Sequence, residues 1–129
     1  MARYLHTSIF VNDMDESIDF YTNKLGLVLL DGPFHYPGNA DMAFVGSDWN
    51  AYVELVYDLE EHAPYEIGNR YEHLAIEHDG DLREFVDRLK AQGVKVLKDV
   101  KKSPGGTRAI AFVEDPNGIP VELLEPRQR

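Results

Sequence analysis

Ala51-Tyr52-Val53-Glu54-Leu55-Val56-Tyr57 reads as a strand with a carboxylate in its apolar middle, and Ile119-Pro120-Val121-Glu122-Leu123 repeats that oddity further on. Glu54-Leu55 and Glu122-Leu123 stand 68 residues apart, as do Phe44-Val45 and Phe112-Val113. Outward from these strands, Tyr4-Leu5-His6 aligns with Tyr71-Glu72-His73 at an offset of 67. One inserted residue reconciles the offsets. Two copies are too few for a solenoid, whose shorter repeats need at least about three units, so the chain reads as a duplicated supersecondary module.

Each copy keeps the same internal order. A short alternating run opens it, at 5–11 in the first and 73–77 in the second. A helix follows, with Met14, Ile18, Tyr21 and Leu25, then Leu82, Phe85, Val86 and Leu89, marking one apolar face of a 3.6-residue period. Asp13 with Glu16 and Asp81 with Glu84 make capping-box-like starts, and Gly26 and Gly93 fit left-handed ends. Strand-like runs come next at 27–31, 41–46 and 51–57, and again at 94–98, 107–113 and 119–125. Asp115-Pro116-Asn117-Gly118 is a turn signal between the last two. The order is βαβββ twice, an α+β fold. It predicts one domain over 1–129, with modules at about 4–58 and 71–125 joined by a linker at 58–70.

Polar residues recur where apolar ones are expected. His6 and Glu54 hold the outer strands of the first module, and His73 and Glu122 the equivalent places of the second. A carboxylate inside an apolar strand is expensive to desolvate unless it is paired or bound to a cation. Two imidazoles and two carboxylates form a mixed nitrogen and oxygen set for a divalent metal such as zinc, nickel, cobalt or iron. The other histidines do not repeat. His35 reads as part of a loop bracketed by Pro and Gly, His62 sits in the acidic linker, and His78 faces away from His73 if the strand is regular. Trp49 reads as packing at a turn, and Asp58, Glu60 and Glu61 as a solvated face.

Length and composition narrow the rest. At 129 residues the chain buries enough surface for a real core. It has no cysteine, which excludes disulfides, thiolate ligands and cysteine nucleophiles. The net charge of −10 repels phosphate backbones and anionic lipid, so neither nucleic acid nor membrane is an expected partner. No apolar run approaches the roughly 18 residues of a membrane span, and the start lacks a signal peptide's layout, so the cytoplasm is the expected location. Walker, dinucleotide-fingerprint and nucleophile-elbow patterns are missing from the sequence. Gly105-Gly106, with Lys101 and Lys102 just before, makes a flexible loop that fits anion recognition or closure over a site.

The duplicated module with its His and Glu residues resembles the vicinal oxygen chelate superfamily (glyoxalase, bleomycin resistance protein and dioxygenase), and within it the bacterial glyoxalase I family. The resemblance is carried by Leu5-His6-Thr7, Ser17-Ile18-Asp19-Phe20-Tyr21, Ala43-Phe44-Val45-Gly46, Glu54-Leu55 and Tyr65-Glu66-Ile67-Gly68. Further on it is carried by Tyr71-Glu72-His73, Gly105-Gly106-Thr107 and Ile110 through Gly118 leading to Glu122-Leu123. It implies a cup-shaped mixed sheet with the helices outside, in a homodimer whose metal sites are shared between chains. His6 and Glu54 would come from one subunit and His73 and Glu122 from the other. It further implies one six-coordinate divalent metal per site (nickel or cobalt, or zinc). The implied small-molecule substrate is the hemithioacetal of methylglyoxal and glutathione, converted through an enediolate to S-lactoylglutathione. The cation would act as a Lewis acid, Glu122 as the first-choice base and Glu54 as the second, with 99–106 as a lid.

Three positions depart from the family pattern. Phe10 stands where an arginine grips a glutathione carboxylate, Asp58 where an asparagine binds glutathione, and Pro104 where a lysine precedes Gly-Gly-Thr, with Lys101 and Lys102 nearby. Each lost charge-assisted hydrogen bond is worth about 1.5–3 kcal/mol. A different thiol, a related metal-dependent isomerase or epimerase, and a ligand-sequestering protein of the resistance type are therefore the competing expectations.

Overall fold

The computed structural model describes residues 1–36, 38–61 and 65–126. The chain forms two compact units, Met1–Glu66 and Ile67–Arg129, each an α+β module with one four-stranded mixed sheet.

In the first unit, β1 (His6–Phe10) leads to α1 (Met14–Asp19), which runs into a π-helical turn at Phe20–Lys24. Three strands follow: β2 (Val28–Tyr36), β3 (Ala40–Asp48) and β4 (Ala51–Asp58). The sheet order is β1-β4-β3-β2, with β1 parallel to β4 and the other pairs antiparallel. Asp13 caps α1 by accepting from the Glu16 N–H at 2.8 Å. The helix buries Tyr21 and Leu25 of the predicted stripe together with Ser17 and Phe20, while Met14 and Ile18 remain half-exposed. A wide turn accompanies the change. Leu25 N–H reaches back five residues to the Phe20 carbonyl at 2.9 Å, which rotates the apolar face by part of a turn. That face meets Val11, Ala43, Val45 and Leu55 in a core closed to water, where truncating a leucine costs about 2–5 kcal/mol.

The second unit repeats the plan. Its elements are β5 (Leu74–Glu77), α2 (Leu82–Ala91), β6 (Val96–Lys102), β7 (Ala109–Glu114) and β8 (Pro120–Leu124), in the sheet order β5-β8-β7-β6. Here β5 is parallel to β8. The α2 stripe of Leu82, Phe85, Val86 and Leu89 is buried as its spacing predicts, against Ala111, Val113, Val121 and Leu123 of the sheet's inner face.

Strand ends differ from the sequence reading in two places. β6 extends to Lys102, so residues 99–102 of the expected lid are an edge strand paired to β7, and only the turn after them is a loop. Its run of charges hides the strand periodicity, as edge strands often do. Likewise β2 extends to Tyr36, which puts His35 on a strand rather than in a loop. The turns that aim the last strands are built alike: buried Asp115 accepts from Asn117 N–H and Ile119 N–H, each at 2.8 Å, and Asp48 accepts from Asn50 N–H at 2.7 Å.

Candidate metal centre

Strand alternation puts Leu55 into the core and Glu54 on the opposite, open face of the first sheet. The parallel register pairs His6 with Tyr52, Ser8 with Glu54 and Phe10 with Val56, so β1 adds His6, Ser8 and Phe10 to that face. His6 Nε2 lies 3.3 Å from Glu54 Oε2. His6 Nδ1 is 3.0 Å from the Tyr52 hydroxyl, whose ring packs on Trp49 at 5.2 Å and on Phe44 at 5.7 Å. Trp49 is thus packing, as its turn position predicts, and what it packs is the residue behind His6.

The second unit builds the same pair. His73, just ahead of β5, brings Nε2 to 3.4 Å from Glu122 Oε1 on β8, while Nδ1 lies 3.1 Å from the exposed Glu72 carboxylate. Phe112, opposite Glu122 in the β7–β8 register, meets the His73 ring edge-on at 5.3 Å. In both units the second ring nitrogen has an oxygen partner, an arrangement that commits Nε2 to outward coordination when Nδ1 carries the proton. The donors suit a divalent cation: paired imidazole and carboxylate, about three-quarters shielded from solvent, with no lysine or arginine among the described residues bridging them. Among the described residues no group of three or more such side chains gathers, and each unit presents one His–Glu pair.

The remaining histidines fall elsewhere. His35 pairs with Asp41 at 3.1 Å on β2–β3, and His78 stacks on Phe85 of α2 with ring centroids 3.9 Å apart. His62 lies outside the described residues. Of the expected substrate contacts, Phe10 is exposed and stacks on Tyr65 at 5.1 Å. Asp58 ends β4 and accepts from the Glu60 and Glu61 backbone N–H groups, a turn role the sequence reading did not assign. Burial, and then the charges of Asp58 and Glu61, push the Tyr65 phenol above its ordinary value. Lys101 and Lys102 are exposed on β6, and Lys102 Nζ donates to the Thr107 carbonyl at 3.0 Å, closing the turn. Sequence reasoning missed Tyr52 and Ser8, since nothing in the linear order links them to His6 and Glu54 without the strand register.

A twice-repeated βαβββ module carrying a His–Glu pair on its first and last strands defines a class. The profile of the Glyoxalase/Bleomycin resistance protein/Dioxygenase superfamily matches residues 3–123, and the chain belongs to that superfamily. Within it the chain is similar to the lactoylglutathione lyase of Neisseria meningitidis serogroup A, 37% identical over 97% of this chain and 91% of the relative. The enzyme of Salmonella typhimurium is 38% identical over 97% and 93%, and the probable lactoylglutathione lyase of Vibrio cholerae 40% over 98% and 92%. Among solved structures, glyoxalase I of Zea mays superimposes with a TM-score of 0.86 at 31% identity. It covers 98% of this chain, which spans only 45% of the maize chain. The trypanothione-dependent glyoxalase I of Leishmania major gives a TM-score of 0.80 at 32% identity, over 97% and 87%. This chain is a glyoxalase I-like enzyme.

Proposed function

We propose that the chain is a metal-dependent lyase that isomerises the hemithioacetal of a 2-oxoaldehyde and a thiol to the S-2-hydroxyacyl thioester. The observation that carries this is the His–Glu pair repeated at 3.3 and 3.4 Å on equivalent sheet faces, in a chain 37–40% identical to lactoylglutathione lyases. The modules at 4–58 and 71–125, with the linker at 58–70, act as one glyoxalase-type domain. His6 and Glu54 of one chain and His73 and Glu122 of a second complete each site in a cytoplasmic homodimer. The donor set suits nickel, cobalt or zinc. A cation held there supplies Lewis-acid polarisation of the substrate's two neighbouring oxygens.

The rest of the chemistry falls to side chains. Glu122 takes the proton from the carbon bearing sulfur and hydroxyl and returns it to the adjacent carbonyl carbon, while the hydroxyl proton passes to the former carbonyl oxygen, so the isomerisation balances without an oxidant. Phe112, next to Glu122 in the register, keeps water from the carboxylate. Glu54 stays a ligand. Lys101 and Lys102 supply the local positive charge that an anionic thiol requires against a net charge of −10.

A second reading concerns the thiol alone. Phe10 stacks on Tyr65, whose phenol feels the charge of Asp58, a poor grip for a carboxylate, and the Leishmania relative is described as trypanothione-dependent. The first favours a thiol whose distal end is uncharged or cationic, and the second shows that a relative takes a thiol other than glutathione. The test strips the protein, reloads it separately with nickel, cobalt and zinc, and follows thioester formation from methylglyoxal with glutathione and with an amine-bearing thiol. Metal-dependent turnover is expected, with kcat lowered about 10²–10⁴-fold in Glu122→Gln. Failure to bind metal overturns the proposal, and turnover with the amine-bearing thiol alone selects the second reading.

A further inference from the structure

The two glutamates sit in equivalent strands but not in equivalent surroundings. Ser8, directly opposite Glu54 in the β1–β4 register, donates its hydroxyl to Glu54 Oε1 at 2.9 Å. Oε2 of the same carboxylate faces His6 Nε2 at 3.3 Å. Both oxygens of Glu54 therefore have partners on its own sheet face.

In the β5–β8 register the residue opposite Glu122 is Ala75. A methyl group donates nothing. Glu122 Oε1 faces His73 Nε2 at 3.4 Å, and among the described residues no hydrogen bond reaches Oε2. A carboxylate accepting a hydroxyl hydrogen bond loses rotamer freedom and holds its orientation; one without it turns about its side-chain bonds at little cost. Ser8 is exposed, as is Ala75, so neither difference is imposed by core packing.

We propose that Ser8 is a positioning residue that locks Glu54 as a permanent ligand, and that alanine at 75 leaves Glu122 free to leave the ligand set and carry the proton. The inference rests on the functional reading above and assigns its two carboxylates by a feature of this chain's own strands. The serine acts through Glu54, to which its one hydroxyl proton is donated.

Ser8→Ala, Ser8→Thr and Ala75→Ser test it, each checked for folding by circular dichroism and thermal melting. Metal affinity is read by chelator competition on the full-length protein, independently of turnover. Ser8→Ala is expected to weaken metal binding about tenfold. Ser8→Thr, which retains the hydroxyl, restores the affinity. Ala75→Ser is expected to bind metal at least as tightly as the parent yet lose about tenfold in kcat with KM unchanged, since the new hydroxyl restrains Glu122. Metal affinity unaltered in Ser8→Ala overturns the clamp, and parental kcat in Ala75→Ser overturns the freedom of Glu122. Parent protein that binds metal but turns over no thiol overturns the catalytic half together with the functional reading, leaving the affinity comparison to decide the clamp alone.

Discussion

Tyr52 is the side chain on which the first histidine depends. Its hydroxyl meets His6 Nδ1 at 3.0 Å, and Trp49 and Phe44 hold its ring. Tyr52→Phe keeps the ring packing and removes only the oxygen, so the fold should melt within a few degrees of the parent. Metal affinity should fall about tenfold, because the imidazole loses the partner that fixes its tautomer and tilt. Titration against a competing chelator measures it; unchanged affinity would mean that sheet geometry alone orients His6. The contrast with His73, whose Nδ1 partner is the exposed Glu72, makes the first half-site the more rigid of the two. None of this was legible in the sequence. His6, Glu54, His73 and Glu122 declared themselves because a duplicated module repeats its polar exceptions, whereas Tyr52 and Ser8 have no polar counterpart in the other copy to mark them.

At the scale of elements, the turn before β8 and the contact between α2 and β6 each yield a prediction. Buried Asp115 accepts three hydrogen bonds, from Asn117 N–H, Ile119 N–H and Asn117 Nδ2, within the turn that launches the strand carrying Glu122. Asp115→Ala leaves buried donors unpaired and should destabilise the protein by about 2–4 kcal/mol in urea unfolding. Asp99 joins α2 to β6 through Arg83 at 3.0 Å and Lys90 at 3.3 Å. The Val100 N–H, then Lys90 and Arg83, hold its carboxyl below the ordinary carboxylate value. A carboxyl lowered by folding stabilises above its unfolded pKa, and the benefit fades as pH falls through the folded one. Asp99→Asn should therefore melt slightly below the parent at neutral pH, and the two should converge under acid and in high salt, because the network lies at the surface, open to solvent. The elements themselves were largely visible beforehand: α2 buries the residues its spacing marks. The first-helix stripe was right at Tyr21 and Leu25 but missed Ser17 and Phe20, because a π turn has no signature in a 3.6-residue count, and β6 was cut short because its charges mask alternation.

For the whole molecule, the proposed sharing of one His–Glu pair per unit makes the stoichiometry of metal decisive. Four ligands used once predict one divalent ion per chain, whereas independent two-ligand sites would take two ions weakly. Native mass spectrometry at rising metal concentration distinguishes these, and reports in the same spectrum whether the chains pair. Metal at about one hundred times its dissociation constant should add about 2.7 kcal/mol of stability, removed by chelation. Superfamily and chemistry were both within reach of the sequence, since the repeat spans nearly the whole chain. The thiol was not, because Phe10, Asp58 and Tyr65 converge through strand register and turn geometry.

That register has a bearing on quality control. β1 is an edge strand whose parallel pairing sets His6, Ser8 and Phe10 beside β4. A slip of a single residue would send all three to the opposite face. A chain mispaired in this way would keep most of its secondary structure and its spectrum, yet would forfeit the cation. With the proposed centre in place, bound metal would act as a proofreader of strand alignment, and a metal titration would count the correctly assembled molecules in a preparation where circular dichroism cannot tell them from their misaligned siblings.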